Sequence, residues 1–201
     1  MFLLSLSSCD LFKIENNDSV VINEICTNNG TLATVDNDYI DWIELYNPTS
    51  SDIFLKNYGI SDDRTNLYKY IFPSVYIKAK SYLIVYFEKD TNSNEELLGN
   101  FGLSNNGEVI YFTMPNKMIL EEITVPELSL NTTYGRYNKN GVETFEVLNP
   151  TPNMKNESKP IYKHINTPVF SNESGFYNSS FDRVVFLRRR LFRFKNQQFC
   201  I

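Results

Sequence analysis

From Val20 onward the chain alternates short runs rich in Val, Ile, Tyr and Phe with clusters of Asn, Asp, Gly, Ser and Pro. Side chains in a strand alternate between two faces, and short β-rich runs with regular turn signals mark an all-β sandwich or barrel, not βαβ units. The pattern predicts strands at Val20–Ile25, Ile40–Asn47, Ile53–Leu55, Tyr58–Ser61, Leu67–Phe72, Ser81–Phe87, Glu108–Met114, Lys117–Ile123, Thr133–Tyr137 and Thr144–Val147. Only Ser93–Leu98 offers a helical turn. Asn105-Asn106-Gly107 and Asn138-Lys139-Asn140-Gly141 predict tight turns, because Asn and Gly tolerate positive φ. Pro150-Thr151-Pro152-Asn153 ends sheet pairing, since proline has no amide hydrogen to donate.

Period-two alternation places Trp42, Glu44 and Tyr46 on one face of their strand, with Asp41, Ile43, Leu45 and Asn47 on the other. Glu24 shares its predicted face with Val20 and Ile22. A buried carboxylate without a partner is too costly, so Glu24 and Glu44 are exposed or bonded to amides or a partner. The expected core comprises Trp42, Ile43, Leu45, Leu83, Val85, Ile110 and Phe112.

Composition adds that 42% of the 201 residues are hydrophobic and 21% charged, enough apolar material for a packed domain. The net charge of −5 conceals an uneven distribution: residues 1–182 hold all 24 acidic groups against 13 of the 19 basic ones, a balance of −11. That balance argues against a generic nucleic-acid binder, whose affinity rests on Lys and Arg. His164 is the single histidine and has no nucleophile motif around it, so it reads as a solvated side chain. Cys9, Cys26 and Cys200 have neither disulfide-framework nor zinc-site spacing.

Two chemistries compete for the carboxylates. Glu24, Asp41, Glu44 and Asp62 would suit a hard cation such as calcium, or a paired-carboxylate hydrolase. The favoured reading assigns them, with Asn23 and Asn47, to side-chain hydrogen bonds that fix strand ends and turns, because no compact ligand motif is present. No cofactor is implied.

Leu6-Ser7-Ser8-Cys9 closes an apolar stretch and resembles a bacterial lipobox, which predicts removal of residues 1–9 as a signal and acylation of Cys9. Residues 10–19 then read as a tether, residues 20–156 as the sandwich and residues 157–166 as a linker.

Ile22-Asn23-Glu24, Asp41-Trp42-Ile43-Glu44-Leu45-Tyr46-Asn47-Pro48, Leu55-x-x-Tyr58-x-Ile60-Ser61-Asp62-Asp63, Phe101-Gly102-Leu103-Ser104, Tyr134-Gly135-Arg136 and Pro150-Thr151-Pro152 follow one another in order. Together they resemble the bacterial lamin-tail domain. The resemblance implies an all-β, immunoglobulin-like β-sandwich and a structural role for Asn23, Trp42, Asn47, Asp63, Gly135, Arg136 and Pro152. It also implies a noncatalytic attachment or interaction module of an exported protein. Two positions depart from the family pattern: Lys80-Ser81 stands where glycine usually precedes the long apolar strand, and Asn153 replaces the glycine that usually follows Thr-Pro.

Residues 167–201 begin like the small C-terminal β module of some chitobiases, through Thr167-Pro168-Val169-Phe170-Ser171 and Ser174-Gly175-Phe176-Tyr177, and then lose that pattern after Phe181. In spore-coat-protein-H-type surface proteins such a module follows a lamin-tail domain. The second β module thus reads as incomplete. The stretch from Phe181 to Lys195 interleaves basic residues with aromatics and could bind nucleic acid or an anionic membrane surface; the favoured reading is a truncated or frame-shifted reading frame, or an unpaired strand. The functional expectation is the N-terminal part of a larger lipid-anchored surface protein, with another protein or a surface glycan as partner.

Overall fold

The computed structural model describes residues 19–32, 38–90, 97–157 and 159–161, and the backbone alone at 169–170, 183–187 and 190–194. Two compact units divide the chain at residues 1–161 and 162–201.

In the first unit, β1 (Val21–Cys26), β2 (Asp41–Tyr46), β7 (Tyr82–Phe87), β8 (Leu98–Gly99), β11 (Thr133–Lys139) and β12 (Val142–Leu148) form a six-stranded sheet in the order β12-β11-β1-β2-β7-β8. A second sheet, in the order β10-β9-β4-β5, contains β4 (Gly59–Ser61), β5 (Tyr70–Ile71), β9 (Glu108–Thr113) and β10 (Ile119–Val125). A separate ribbon pairs β3 (Ile53–Phe54) with β6 (Tyr76–Ile77). All pairings are antiparallel except β7–β8. The expected immunoglobulin-like β-sandwich is the observed fold.

The inner faces meet where alternation predicts. Ile22, Ile25, Ile43, Leu45 and Val85 of the larger sheet join Ile60, Ile110, Phe112, Ile123 and Val125 of the smaller in one buried cluster. Burying each such aliphatic side chain contributes about 1.5–3 kcal/mol relative to exposure. Leu83 packs partly buried against this cluster. Trp42, also expected in the core, is fully buried, but on the opposite face of β2 from the inter-sheet cluster, alternating with Ile43 and lying opposite Cys26 and Tyr86.

Glu24 corrects the predicted face. The β1–β2 register shifts between Ile22 and Glu24, so Glu24 pairs with Glu44 and turns away from the core that Ile22 and Val20 enter. One extra residue reverses the alternation. At Leu98 the predicted helical turn gives way to β8, because Leu97 O accepts from Tyr86 N at 2.9 Å and Gly99 O from Glu88 N at 3.0 Å. The rest of that prediction, over 93–96, lies outside the described residues. Asn140 and Gly141, at φ 55° and 88°, close the β11–β12 hairpin as a two-residue turn.

In the second unit, β13 (Val169–Phe170), β14 (Arg183–Leu187) and β15 (Arg190–Phe194) form an antiparallel sheet. Residues 183–187 and 190–194 of the basic stretch are therefore strand-paired along their backbone. Cys9, His164 and Cys200 lie outside the described residues.

Candidate functional site

The sandwich carries its polar chemistry on the outer face of β1 and β2. Glu24 and Glu44 stand opposite each other there, both fully buried, beneath the segment that follows β12. Prolines 150 and 152 cannot donate hydrogen bonds, and the two amides beside them, at Thr151 and Asn153, turn onto the carboxylates. Thr151 N lies 3.2 and 3.1 Å from the two oxygens of Glu24, whose Oε1 also accepts from Thr133 Oγ1 at 2.6 Å. Glu44 accepts from Asn153 N through Oε2 and from Asn23 Nδ2 at 2.7 Å through Oε1.

Asn156 fastens the strap further along. Its Nδ2 donates to Asn23 O and Arg136 O, each at 3.0 Å, while its Oδ1 accepts from Thr151 Oγ1 at 2.5 Å. This approach explains Gly135, where a Cβ would come within 2.8 Å of Asn156 Nδ2 and 2.9 Å of Leu148 Cδ1. Burial pushes the Glu24 carboxyl above its ordinary range and that of Glu44 up to about 7, with the donated hydrogen bonds opposing the shift and the charge of Glu24 adding to it at Glu44.

The four candidate ligands are not gathered into one cluster, which corrects the calcium alternative. Asp41 accepts from the backbone amides of Leu103 and Asn29, and burial raises its pKa to about 6. Asp62 pairs with Lys69 at 2.6 Å. Glu24 and Glu44 are fully buried and bonded to the amides of the strap. Among the described residues no group of three or more His, Cys, Asp or Glu side chains is placed to hold a metal ion.

The other motif residues shape turns. Asn47 Nδ2 donates to Ser51 O at 2.8 Å, Ile77 O at 3.2 Å and Lys78 O at 3.1 Å, and its Oδ1 accepts from Thr49 N at 3.0 Å. Asp63 Oδ1 accepts from Thr65 N and Oγ1, each at 2.8 Å. Burial pushes the Cys26 thiol up to about 12, making it an inert packing group.

Arg136 joins the two sheets. Its guanidinium forms an ion pair with Glu121 of β10, and its Nε donates to Ile22 O at 3.1 Å. Glu121 Oε2 accepts from Ile22 N at 2.5 Å, so two side chains occupy the backbone groups of a fully buried residue beside the β1 bulge. Beyond this pair, Leu120–Thr124 of β10 and the side chains of Tyr134 and Phe145 line a groove of about 400 Å³.

A family model described as Lamin Tail Domain matches residues 14–127, more than half of the 201. The chain belongs to the lamin tail domain family. No curated protein and no solved structure matches it. Lamin tail domains are immunoglobulin-like and generally non-enzymatic. The matched range ends before β11, so Gly135, Arg136 and the strap lie beyond it. Both positions at which this lamin-tail chain lacks an expected glycine have left-handed backbone, Lys80 at φ 55° and Asn153 at φ 61°. Thr133, Glu121 and Asn156 were not among the sequence candidates. No local signal marks those three; the Pro-x-Pro spacing marks only Thr151 and Asn153, whose isolated amides need acceptors.

Proposed function

We propose that this chain is a non-catalytic interaction and attachment module of an exported surface protein, anchored through a lipid on Cys9 and forming the N-terminal part of a larger chain. The observation that supports a binding role over chemistry is the commitment of Glu24 and Glu44. Both are fully buried, and amides of the chain's own strap fill them. A general acid or nucleophile must reach a substrate, and neither group does. The lipobox-like Leu6-Ser7-Ser8-Cys9 supports export, and the polar residues 10–19 suit a tether between anchor and sandwich. In this reading residues 167–201 start a chitobiase-like β module of the kind found in spore-coat-protein-H-type proteins, and the partner is another protein or a surface glycan.

Expression from the natural upstream start, followed by fractionation and mass spectrometry, tests the proposal. A membrane-associated chain beginning at an acylated Cys9 is expected. A soluble cytoplasmic chain with an unmodified Cys9 would overturn it.

A further inference from the structure

We infer that the free edge of β10 accepts an extended basic segment of a partner protein as an added β-strand. The inference rests on reading the chain as an interaction module and specifies where that module makes contact. β10 is hydrogen-bonded to β9 on one side and, among the described residues, to no strand on the other. An unpaired edge presents a row of backbone donors and acceptors to another extended chain. Natural edges are usually blunted by Lys, Pro or a bulge; β10 contains neither Lys nor Pro, and its one register shift lies between Ile119 and Glu121, which leaves a regular stretch from Glu121 to Val125.

The surroundings of this edge select the occupant. The half-buried rings of Tyr134 and Phe145, with centroids 5.4 Å apart, form the wall opposite Leu120–Thr124 in the groove of about 400 Å³. A strand laid beside β10 would turn every second side chain onto these rings. Its other side chains would emerge beside the exposed Glu122 and Thr124.

Charge then specifies those outward residues. β10 and β12, the edge strands on either side of the groove, bring Glu121, Glu122, Glu143 and Glu146 and no Lys or Arg; of these, Glu121 is held by Arg136, and Glu146 pairs with the half-exposed Lys139 of β11 at 3.2 Å. Arg64 answers Glu122 only through an exposed pair, the two side chains 63% and 44% accessible, and such a pair is readily exchanged for an incoming cation. Glu143 is 58% accessible and 3.3 Å from an Arg136 that is already bound to Glu121. The partner segment is therefore one in which basic and apolar residues alternate. Nucleic acid is disfavoured by the same glutamates.

The test adds a capped nonapeptide of alternating lysine and valine to the full chain, with a glutamate–valine peptide as control. Amide hydrogen exchange and fluorescence anisotropy are read at low and high salt. The expected result is new protection over Leu120–Thr124, affinity that falls with salt, and no binding of the acidic peptide. The double variant E122K/T124K alters two exposed side chains and should keep its melting temperature while weakening the basic peptide about tenfold or more. Protection on another strand, unchanged affinity in E122K/T124K or equal binding of the acidic peptide would each overturn the assignment. Acylation of Cys9 is read separately. An anchored chain that ignores the peptide overturns the edge site alone; an unanchored cytoplasmic chain that adds the strand overturns the attachment reading alone.

Discussion

Replacing Arg136 with methionine tests whether the Glu121–Arg136 pair holds the two sheets together. The Arg136 and Glu121 side chains are 12% and 10% accessible, so water cannot take over the role of either group without rearrangement. Methionine fills much of the same volume but leaves Glu121 as a largely buried carboxylate, with the Ile22 amide as its remaining donor, and strips Ile22 O of its partner. Removing one member of a buried pair costs about 3–5 kcal/mol, mostly from the charge left behind. An orphaned buried carbonyl costs about 1–3 kcal/mol and overlaps with that loss, so the expected deficit stays near 3–5 kcal/mol. The melting temperature should fall by about 6–20 °C, read by urea denaturation and calorimetry.

The double variant E121Q/R136M removes the stranded charge and retains an acceptor for Ile22 N. It should recover a large part of the deficit, since replacing both members of a buried pair is far milder than breaking it. The single variant should also gain on acidification. Burial already raises the Glu121 pKa, and Arg136 is the charge that holds it down. Without Arg136 the native carboxyl binds its proton still more tightly, so lowering the pH stabilises the fold. A loss under about 1 kcal/mol in R136M, or a double variant as unstable as the single, would refute a sheet-joining role for the pair.

Other perturbations address the strap and the departures from glycine. Gly135→Ala places a methyl group against Asn156 and Leu148 and should cost about 1–3 kcal/mol, with Asn156→Ala in the same background losing less than it does alone. Lys80→Gly should stabilise by about 0.5–1 kcal/mol because Lys80 occupies left-handed backbone at φ 55°, whereas Asn153→Gly should change little because Asn tolerates that conformation; equal effects would contradict this account. The carboxyls of Glu44 and Glu108, each near 7, and Asp41, near 6, stand above unfolded values of 4.5, 4.5 and 3.8. Their contribution is therefore complete below about pH 4 and lost as pH rises through 6 to 7, and denaturation midpoints rising over that interval would count against it. Glu44→Gln should flatten that slope while leaving the sandwich folded, as measured by the same titration.

Alternation and turn chemistry in the sequence located the long strands and two of the tight turns. β2 illustrates why: Ile43 and Leu45 reach the core and Glu44 does not, as period-two reading requires. The commonest errors came from events that local pattern does not encode. The β1 bulge set Glu24 opposite Glu44, and a single inserted residue looks like continued strand until its partner is known. β8 replaced part of a helical turn because β7 offered its backbone a ladder. Glu24 and Glu44 were recognisable as unusual carboxylates among apolar residues, yet their partners at Thr151 and Asn153 lie 127 and 109 positions away.

Composition and periodicity thus determined a β-sandwich with a misplaced-looking set of buried acids. Tertiary structure decided that these acids hold a proline-spaced strap instead of a cation, and that Arg136 and Glu121 fill in for a missing stretch of strand. The physical reason is range. Whether a strand is buried on one face follows from neighbours two residues apart, while the donor that satisfies a buried carboxylate is found only after distant segments have packed.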